Sequence, residues 1–304
     1  MNAHFYILAK SFHHNAKFSN AEIEEKIKRL AEDVRLIHQY KDTNTLYVNW
    51  EEIYPQVFYD KYTIEDFICK GYQLKGYIDR DILNALQNIL NRGIETTDSF
   101  QKITDELLPF CDGNKCHGLI AFHKVDGIDD TVQLIYGIDG WYKFRRHFLG
   151  LYPKDENFFI DECIKYFPNL FFHNKNRISI KAIFKDCPKK IIYHLVALND
   201  IFYNLKKTQE SELNRTQVLV QFSISASLDE TASLEGDPKR KRDFTFDFTN
   251  TEGQIERVCC EPHLKLCKND VDSSYSTNRR IYFHEGMKNI HEGRILIGHI
   301  GTHL

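Results

Sequence analysis

The sequence predicts an α+β protein, in which a mixed N-terminal domain, residues 1–187, precedes a C-terminal domain, residues 188–304, made of a helix packed on an antiparallel sheet. Two observations lead to this prediction. Up to about residue 190, apolar side chains recur mainly at helical spacing, with short β-like runs between the helices. After residue 217, apolar and polar residues alternate with the period of half-buried strands. A helix followed by several such strands is typical of an α+β domain.

The N-terminal domain begins with a strand, "HFYILAKSF", and a helix in which Ser19 and Glu22 have the spacing of a capping box. "TLYVNWEEI" predicts a second strand, Asp79 begins a second helix, and "TDSFQKITDELLPF" is a third helix that ends near Pro109. Two β-like runs, "HGLIAFH" and "VQLIYGI", are joined by the turn-rich "KVDGIDD". Aromatic helices follow in "WYKFRRHFLGLY" and "NFFIDECIKYF".

The C-terminal domain begins with a long helix, "PKKIIYHLVALNDIFYNLKKTQ", which has Pro188 near its start. Five strands are predicted after it, in "VLVQFSIS", "DFTFDFT", "QIERVCCEPHLKLC", "RIYFH" and "RILIGHI". The polar connection "ASLDETASLEGDPKRKR" is long enough to be either a mobile loop or a functional one.

The composition restricts the function classes. The chain has 304 residues, of which 42% are hydrophobic and 27% are charged, and its formal net charge is −3. This charge argues against nucleic-acid binding over the whole surface, although a local basic groove is compatible with it. No apolar run reaches the roughly 18 residues that a membrane span requires, so no membrane contact is expected. The absence of GxxxxGK[ST] and GxGxxG motifs excludes nucleotide-driven motors.

The first residues and the cysteines predict a cytoplasmic protein. "MNAHFYILAKSFHHNAKFSN" lacks the basic segment, the long apolar stretch and the cleavage site of a signal peptide. Eight cysteines without a secretion signal are typical of reduced thiols in a cytosol.

Ionisable side chains are densest in the last strands. Successive side chains of a strand point to opposite faces. In "HLKLC" and "RRIYFH" the apolar residues therefore face one way and the polar residues the other. If these strands are neighbours, one polar and solvated face collects five residues: His263, Lys265, Arg280, Tyr282 and His284.

The tail, "RILIGHIGTHL", adds two histidines. Strict alternation places His299 on the same face as Ile297 and opposite Gly298. His303 follows within residues 301–304, "GTHL". We expect these four residues to be held in place, so that deleting them abolishes activity or solubility.

These residue types suit RNA cleavage without a metal. Histidine exchanges protons near neutral pH, and lysine and arginine stabilise the charge that develops on a phosphate. Tyrosine orients or stacks a base, and the 2′-hydroxyl of RNA would be the internal nucleophile. The predicted catalytic residues are His263, Lys265, Arg280, Tyr282, His284, His299 and His303. The predicted nucleic-acid-binding residues lie in the basic run "PKRKR": Lys239, Arg240, Lys241 and Arg242.

Residues 280–304, "RIYF…RILIGH", resemble the last hairpin of RelE- and HigB-type toxins, which ends in an arginine-led strand, a turn and a strand closing on basic or histidine residues. Those toxins are metal-independent ribonucleases, so the resemblance implies RNA cleavage. It implies site roles for Arg280, His299 and His303. The tail also resembles the C-termini of bacterial proteins of unknown function that end in a similar "IGxHL".

Other interpretations of the same residues stay open. A hairpin with one solvated face carries polar residues in any case, and from the pattern alone we favour this simpler interpretation. Metal ligands are a second possibility, because four candidates lie within nine residues: Cys259, Cys260, His263 and Cys267. Their spacing matches no standard zinc finger, so buried thiols are expected and no metal is assigned. A divergent metal nuclease would use Asp243 or Asp247 with Glu261 and Lys265.

The sequence thus leads to two alternative functions. The first is a bacterial effector that acts on nucleic acid, as a metal-independent ribonuclease of toxin or phage-defence type. The alternative is a non-enzymatic binding or scaffold subunit of a bacterial defence complex. The expected partner is nucleic acid, RNA rather than DNA, or a protein of the same operon. No cofactor is expected.

Overall fold

The computed structural model has both helices and strands, with the strands in several sheets, so the predicted α+β class is confirmed. The structure describes residues 1–13, 19–41, 43–59, 61–70, 79–125, 132–208, 213–272 and 274–304. Within these ranges no helix has the length and apolar character needed to cross a bilayer.

The chain forms two compact units, Met1–Arg145 and Arg146–Leu304. The boundary expected from the sequence, 187/188, falls inside the second unit. The physical reason is that the segment before residue 188 contributes to the same core as the C-terminal strands. Phe159 and Phe172 of this segment, for example, belong to one buried cluster with Phe283.

The described residues of the first unit form these short strands: β1 (Asn2–Ile7), β2 (Asn44–Val48), β3 (Val57–Tyr59), β4 (Tyr62–Thr63), β5 (Ile94–Glu95), β6 (Lys115–Ile120) and β7 (Leu134–Ile135). Its helices are α1 (Asn20–Gln39), α2 (Trp50–Ile53), α3 (Ile64–Cys69), α4 (Arg80–Leu90) and α5 (Phe100–Lys102), and α5 continues as a π-helical turn, Ile103–Leu107. α6 (Ile138–Leu151) spans the division between the units. The capping box of Ser19 and Glu22 is confirmed at the start of α1, and Asp79 caps α4.

Five strands of the first unit form one sheet in the order β5-β2-β1-β6-β7, and every pair in it is parallel. Both faces are covered: Tyr6 and Leu119 pack with Ile103 on one face, and Phe5 contacts Trp141 and Phe144 on the other. The sequence pattern predicts β1, β2, β6 and β7 but not the short β5, and it does not predict the direction of the strands. "HGLIAFH" and "VQLIYGI" pair in parallel as β6 and β7, and most of the segment between them lies outside the described residues.

The second unit contains β8 (Leu170–Phe172), β9 (Thr245–Thr249), β10 (Ile255–Cys259), β11 (His263–Cys267), β12 (Tyr275–His284) and β13 (Ile295–Thr302). Its helices are α7 (Glu156–Tyr166), α8 (Asn176–Ser179), α9 (Pro188–Val196), α10 (Tyr203–Thr208) and α11 (Arg215–Ser225), with a π-helical segment, Ala197–Phe202, between α9 and α10. The predicted helix start at Pro188 is confirmed.

Four strands of the second unit form a sheet in the order β11-β12-β13-β8. β11, β12 and β13 are antiparallel neighbours, whereas β8 pairs with β13 in parallel. β9 and β10 form a separate antiparallel hairpin. One face of the four-stranded sheet packs against the helices through a large apolar cluster, and the other packs against the β9–β10 hairpin.

The segment "VLVQFSIS" is a helix, α11, and the prediction of a strand there is wrong. Asn214 caps the helix and forms a capping box with Gln217. Leu219 and Phe222 are buried in the helical core, while Val220 and Ile224 are exposed. The alternation of apolar and polar residues is compatible with a strand. The N-cap and the burial of one helix face favour the helix instead.

A β-bulge interrupts the pairing of β12 with β13. Tyr282 is opposite His299, but Phe283 is opposite Ile297, so Gly298 is an extra residue on its strand. In a bulge, two residues of one strand oppose a single residue of the other. Strict alternation placed His299 on the face of Ile297, and this prediction is wrong, because the bulge turns His299 to the face of Tyr282.

Candidate functional site

The antiparallel register brings several of the predicted catalytic residues to one face of the sheet. His263 on β11 is opposite Tyr282 on β12, which is opposite His299 on β13. In the next row, Lys265 is opposite Arg280. Directly opposite residues share a face of an antiparallel sheet. The grouping proposed from the sequence is therefore present in the structure.

This face is buried, and the expectation of a solvated face is wrong. His263, Arg280, Tyr282 and His299 are all buried. The cover is the apolar side of the β9–β10 hairpin together with the residue before it, Phe244, whose ring stacks on the Tyr282 ring at 5.0 Å. The alternating phenylalanines of "DFTFDFT" supply this second core, which the sequence pattern of β12 alone does not indicate.

A carboxylate that the sequence analysis did not select lies at the centre of the polar residues. The hydroxyl of Tyr282 donates to Glu235 Oε1 at 2.9 Å. His303 Nε2 lies 3.3 Å from the same oxygen, and His263 Nδ1 lies 3.7 Å from it. We call these four residues, Glu235, His263, Tyr282 and His303, the Glu235 cluster.

The loop that carries Glu235 is fixed to β11 by a short bridge. The backbone N–H and carbonyl groups of Ser233 and His263 bond to each other, at 2.9 and 3.2 Å. The Ser233 hydroxyl also contacts His263 Nε2 at 3.1 Å. Two residues further along the loop, Glu235 is thereby held against the sheet. Its side chain is 14% exposed, so most of the carboxylate is removed from water.

Burial decides the protonation of two members of the cluster. It lowers the pKa of His263 to about 4, against the smaller opposing effect of the Glu235 carboxylate. Burial, together with the hydrogen bond to Glu235, raises the pKa of Tyr282 well above its usual range. At neutral pH, His263 is therefore neutral and Tyr282 keeps its proton.

His303 is the accessible histidine of the cluster, with 28% of its side chain exposed. Its backbone N–H donates to the carbonyl of Asn278 at 2.8 Å, which holds the residue beside β12. The Arg240 guanidinium lies 3.4 Å from His303 Nδ1. A guanidinium only donates, so Nδ1 accepts this bond and the proton of the neutral imidazole is on Nε2, facing Glu235.

The basic run divides into one residue that faces the cluster and three that face solvent. Lys239, Lys241 and Arg242 are exposed. Arg240 is turned inward: its guanidinium lies over the Phe244 ring, in addition to its contact with His303. The predicted nucleic-acid-binding segment thus lies at the rim of the Glu235 cluster.

The other predicted catalytic residues have different contacts. Arg280 donates to backbone carbonyls of its own strand, at 3.1 Å, and Lys265 pairs with Glu230 at 3.8 Å. His299 bonds through Nε2 to the carbonyl of Thr302 at 2.8 Å. These contacts support the strands around the cluster, and the charge of Arg280 acts on His263 and Tyr282.

His284 lies in a separate group of charges. Its Nδ1 accepts the backbone N–H of Gly286 at 3.0 Å, and its Nε2 is 3.8 Å from Glu285. Glu285 in turn pairs with Arg215, which also lies 3.7 Å from Glu261. His284 and Glu261 therefore belong to an ion-pair network rather than to the Glu235 cluster.

The cysteines considered as metal ligands lie in different surroundings. Cys260 is buried in the apolar core under the β9–β10 hairpin, whereas Cys267 is buried at the end of β11, near the charge of Lys190. In the part of the chain that the structure describes, no group of three or more histidine, cysteine, aspartate or glutamate residues is arranged to hold a metal ion. The acidic candidates pair with three different arginines: Asp243 with Arg240, Asp247 with Arg257 and Glu261 with Arg215.

Sequence reasoning missed Glu235 because a carboxylate in a polar loop carries no periodic signal. The connection "ASLDETASLEGDPKRKR" contains several acidic residues, and only the fold distinguishes Glu235, which enters the buried face, from Glu230, which is half-exposed. The one available signal was the length of this connection, which already marked it as a candidate functional loop.

Comparisons with known proteins do not indicate a family or a function for this chain. No protein-family model, no curated protein and no solved structure matches the chain.

Proposed function

We propose that this protein binds RNA and cleaves it without a metal, as a bacterial effector of toxin or phage-defence type, with the Glu235 cluster as its active site. The observation that carries the proposal is the arrangement around His303. One imidazole nitrogen faces a mostly buried carboxylate at 3.3 Å, and the other faces an arginine at 3.4 Å.

The carboxylate prepares His303 to act as a general base. Glu235 accepts the Nε2 proton of the ring, which fixes the tautomer and leaves the lone pair on Nδ1. A carboxylate in this position also stabilises the imidazolium that forms when the base takes up a proton, as in hydrolase triads. His303 Nδ1 is thus the proposed acceptor of the proton from an RNA 2′-hydroxyl.

Arg240 connects substrate binding to this base. Arginine binds a phosphate bidentately and more strongly than it binds a neutral imidazole nitrogen. When the guanidinium turns to a phosphate of the bound RNA, it leaves Nδ1 free beside the nucleotide. Lys239, Lys241 and Arg242 extend the positive charge along the backbone of the nucleic acid. The same arginine would then stabilise charge on the cleaved phosphate.

Tyr282 and His263 are proposed as positioning residues. Both are buried and make contact with Glu235 rather than with solvent. The hydrogen bond from Tyr282 holds the carboxylate in one orientation toward His303. His263 supports it from 3.7 Å and anchors the loop through the Ser233 hydroxyl. The resemblance of residues 280–304 to RelE- and HigB-type toxins supports RNA as the substrate, although of the three residues carried over from it only His303 belongs to the cluster.

A second function is favoured by a specific observation, the burial of the cluster. Because His263 and Tyr282 are buried, a substrate would reach only His303, Glu235 and the basic run. This exposure is also compatible with a non-enzymatic scaffold subunit, in which the basic run docks nucleic acid or a partner protein and the cluster stabilises the loop.

The deciding experiment is cleavage of a single-stranded RNA by the purified protein in the presence of EDTA. We expect products that end in a 2′,3′-cyclic phosphate, and no cleavage of DNA of the same sequence, which lacks the 2′-hydroxyl. His303→Ala should lower the rate at least about 100-fold, the usual contribution of a general base. Lys241→Ala, in the exposed part of the same loop, is the matched control and should weaken binding only.

The alternative predicts a different outcome. A scaffold subunit would retain RNA in a gel-shift assay and lose it on Arg240→Ala, but it would leave the RNA intact. Cleavage that EDTA abolishes would contradict both proposals and indicate a metal nuclease.

A further inference from the structure

Two cysteines of the first unit lie on the two sides of one tight turn. The backbone N–H of Asp112 donates to the carbonyl of Lys115 at 3.0 Å. The Asp112 carboxylate accepts the backbone N–H groups of Asn114 and Lys115, at 2.7 and 2.8 Å. This turn immediately precedes the buried part of β6. Because residues 112 and 115 are paired, Cys111 and Cys116 flank the turn as neighbours on adjacent stretches of backbone.

The two thiols are in contact, and their surroundings differ. The Cys116 thiol lies beside the Cys111 sulfur and also donates to the backbone carbonyl of Asp112 at 3.5 Å. The same Cys111 sulfur accepts the backbone N–H of His117 at 3.3 Å and the side-chain amide of Gln133 at 3.5 Å. Cys111 is partly exposed, whereas Cys116 is buried. One sulfur is therefore surrounded by donors and reachable from solvent, and the other is sheltered behind it.

These contacts assign different roles to the two sulfurs. The hydrogen bond from Cys116, and then that from the His117 backbone, lower the pKa of Cys111 to about 7 despite its partial burial. The pKa of Cys116 is raised, because its thiol interacts with the Cys111 sulfur and is buried. About half of Cys111 is thus thiolate at pH 7, and the thiolate is the form that attacks disulfides.

We propose that Cys111 and Cys116 form a reversible disulfide by exchange with a small disulfide such as glutathione disulfide. The Cys111 thiolate attacks one sulfur of glutathione disulfide, the S–S bond breaks, and one glutathione thiolate leaves. Cys116 then gives up its proton to that thiolate and attacks the Cys111 sulfur, which releases the second glutathione. Two electrons pass from the protein thiols to glutathione disulfide, and two molecules of reduced glutathione are formed.

The pair differs from the other buried cysteines. Burial raises the pKa of Cys163 far above its usual range, and no N–H donor to its sulfur is found among the described residues. Cys260 is also buried, and its pKa is raised for the same reason. Such thiols are inert. The proposal predicts that Cys111 reacts faster than Cys163 and Cys260 at neutral pH. It does not depend on the proposed ribonuclease function.

The chain offers a direct assay, because Lys115 lies between the two cysteines. Trypsin cleaves after Lys115, so Cys111 and Cys116 fall in the separate peptides 103–115 and 116–124. The folded protein is incubated with glutathione disulfide at pH 7, alkylated, digested without reduction and analysed by mass spectrometry. We expect the two peptides to be joined by a disulfide, and dithiothreitol to separate them again.

Two variants test the order of the steps. Cys116→Ser should trap glutathione on Cys111, because the resolving thiol is absent. Cys111→Ser should leave Cys116 unmodified in the folded protein. Circular dichroism checks that both variants are folded, and Cys163→Ser is the control that leaves the linked peptides unchanged. The proposal is overturned if the wild type shows no linked peptides, if they form only in urea, or if Cys116 is the residue that captures glutathione.

The pH dependence gives an independent measure. The alkylation rate of Cys111 should reach half of its maximum near pH 7 and should exceed that of Cys163 at least tenfold at this pH. A midpoint at the ordinary pKa of cysteine, roughly 8.5, would contradict the role assigned to the hydrogen bonds.

Discussion

The two faces of the sheet formed by β11, β12 and β13 are both buried, but they are built from different residues. The face toward the helices carries a large apolar core that includes Leu264, Ile281 and Phe283, with the Arg279–Asp186 ion pair at its edge. The face toward the β9–β10 hairpin is apolar at one end and polar at the other, where His263 and Tyr282 meet Glu235. The alternating side chains of β11 and β12 thus contribute to an apolar core on one face and to a core with both apolar and polar residues on the other.

The difference shows where stability and where specific chemistry are concentrated. Apolar burial is the dominant favourable contribution to folding and does not depend on direction. Buried polar groups are costly unless each is hydrogen-bonded. In the Glu235 cluster Tyr282 and His303 lie 2.9 and 3.3 Å from one carboxylate oxygen, and His263 bonds to the Ser233 hydroxyl and the Glu261 carbonyl. We therefore expect substitutions on the helical face to change stability, and substitutions in the cluster to change pH dependence and activity.

The largest expected effect is on the helical face. Phe283→Ala removes a fully buried ring that packs edge-on against Phe202 at 5.3 Å. The cavity should lower the free energy of unfolding by about 3–5 kcal/mol, as measured by urea denaturation. If this change costs less than the loss of the Tyr282 hydroxyl on the opposite face, the contrast between the faces is wrong.

The pH dependence of stability should report on the polar face, through the pKa of His263. In the folded protein the pKa of His263 is lowered to about 4, whereas in the unfolded chain it is near 6.5. Between these values the unfolded state binds the extra proton, so stability is complete above pH 6.5 and is lost as the pH falls toward 4. Over this pH range, His263 should change the free energy of unfolding by an amount on the order of 3 kcal/mol.

The test compares the wild type with His263→Gln by denaturation at several pH values. His117 and His194 also have pKa values lowered to about 4, so part of the slope remains in the variant. Buried Asp33 has the opposite effect on the pH dependence of stability. Its pKa is raised to about 6, so the destabilisation caused by its buried charge is relieved as the pH falls. Identical slopes for the wild type and His263→Gln would show that the ring is not buried neutral.

The bulge that turns His299 to the polar face should be sensitive to a single methyl group. A Cβ at Gly298 would lie 2.6 Å from the ring of Phe246 and 2.9 Å from the sulfur of Cys260. Gly298→Ala should therefore lower the unfolding free energy by about 1–3 kcal/mol, the usual cost of overpacking. Gly236→Ala is the matched control, because a Cβ there meets no atom within 4 Å. Equal stabilities of the two variants would contradict this packing.

The smallest expected effect is the loss of one hydroxyl. Tyr282→Phe keeps the ring that stacks on Phe244 and removes the donor to Glu235. We expect a loss of about 1–2 kcal/mol in urea denaturation, because the carboxylate keeps other partners. A change larger than that of Phe283→Ala would place the main stabilising interactions on the polar face instead.

The sequence predicted most elements correctly where a periodic pattern coincided with a local signal. The capping box of Ser19 and the proline that begins α9 are examples. The face shared by His263, Tyr282 and Arg280 also followed from period two, because β11 and β12 are neighbours in register. These are local properties of the chain, or consequences of one pairing.

The remaining features depend on tertiary contacts that no short window contains. The extra residue at Gly298 is defined only by the partner strand, and the cover over Tyr282 comes from a hairpin elsewhere in the chain. The parallel pairing of β6 with β7 is likewise a long-range property that the pattern of the two runs does not contain. Glu235 was not identified for the same reason, since its role arises from the fixed loop and not from its neighbours in sequence.

The central claim is that Glu235 activates His303, and the most direct measurement is the rate of RNA cleavage by Glu235→Gln in EDTA under single-turnover conditions. Glu230→Gln is the control, because Glu230 lies in the same loop and contacts Lys265 instead of the cluster. The account predicts that the wild type and Glu230→Gln cleave at the same rate and that Glu235→Gln is at least about 100-fold slower, although it is folded and binds the RNA. Equal rates for the two glutamine variants, or intact RNA with the wild type, would contradict it.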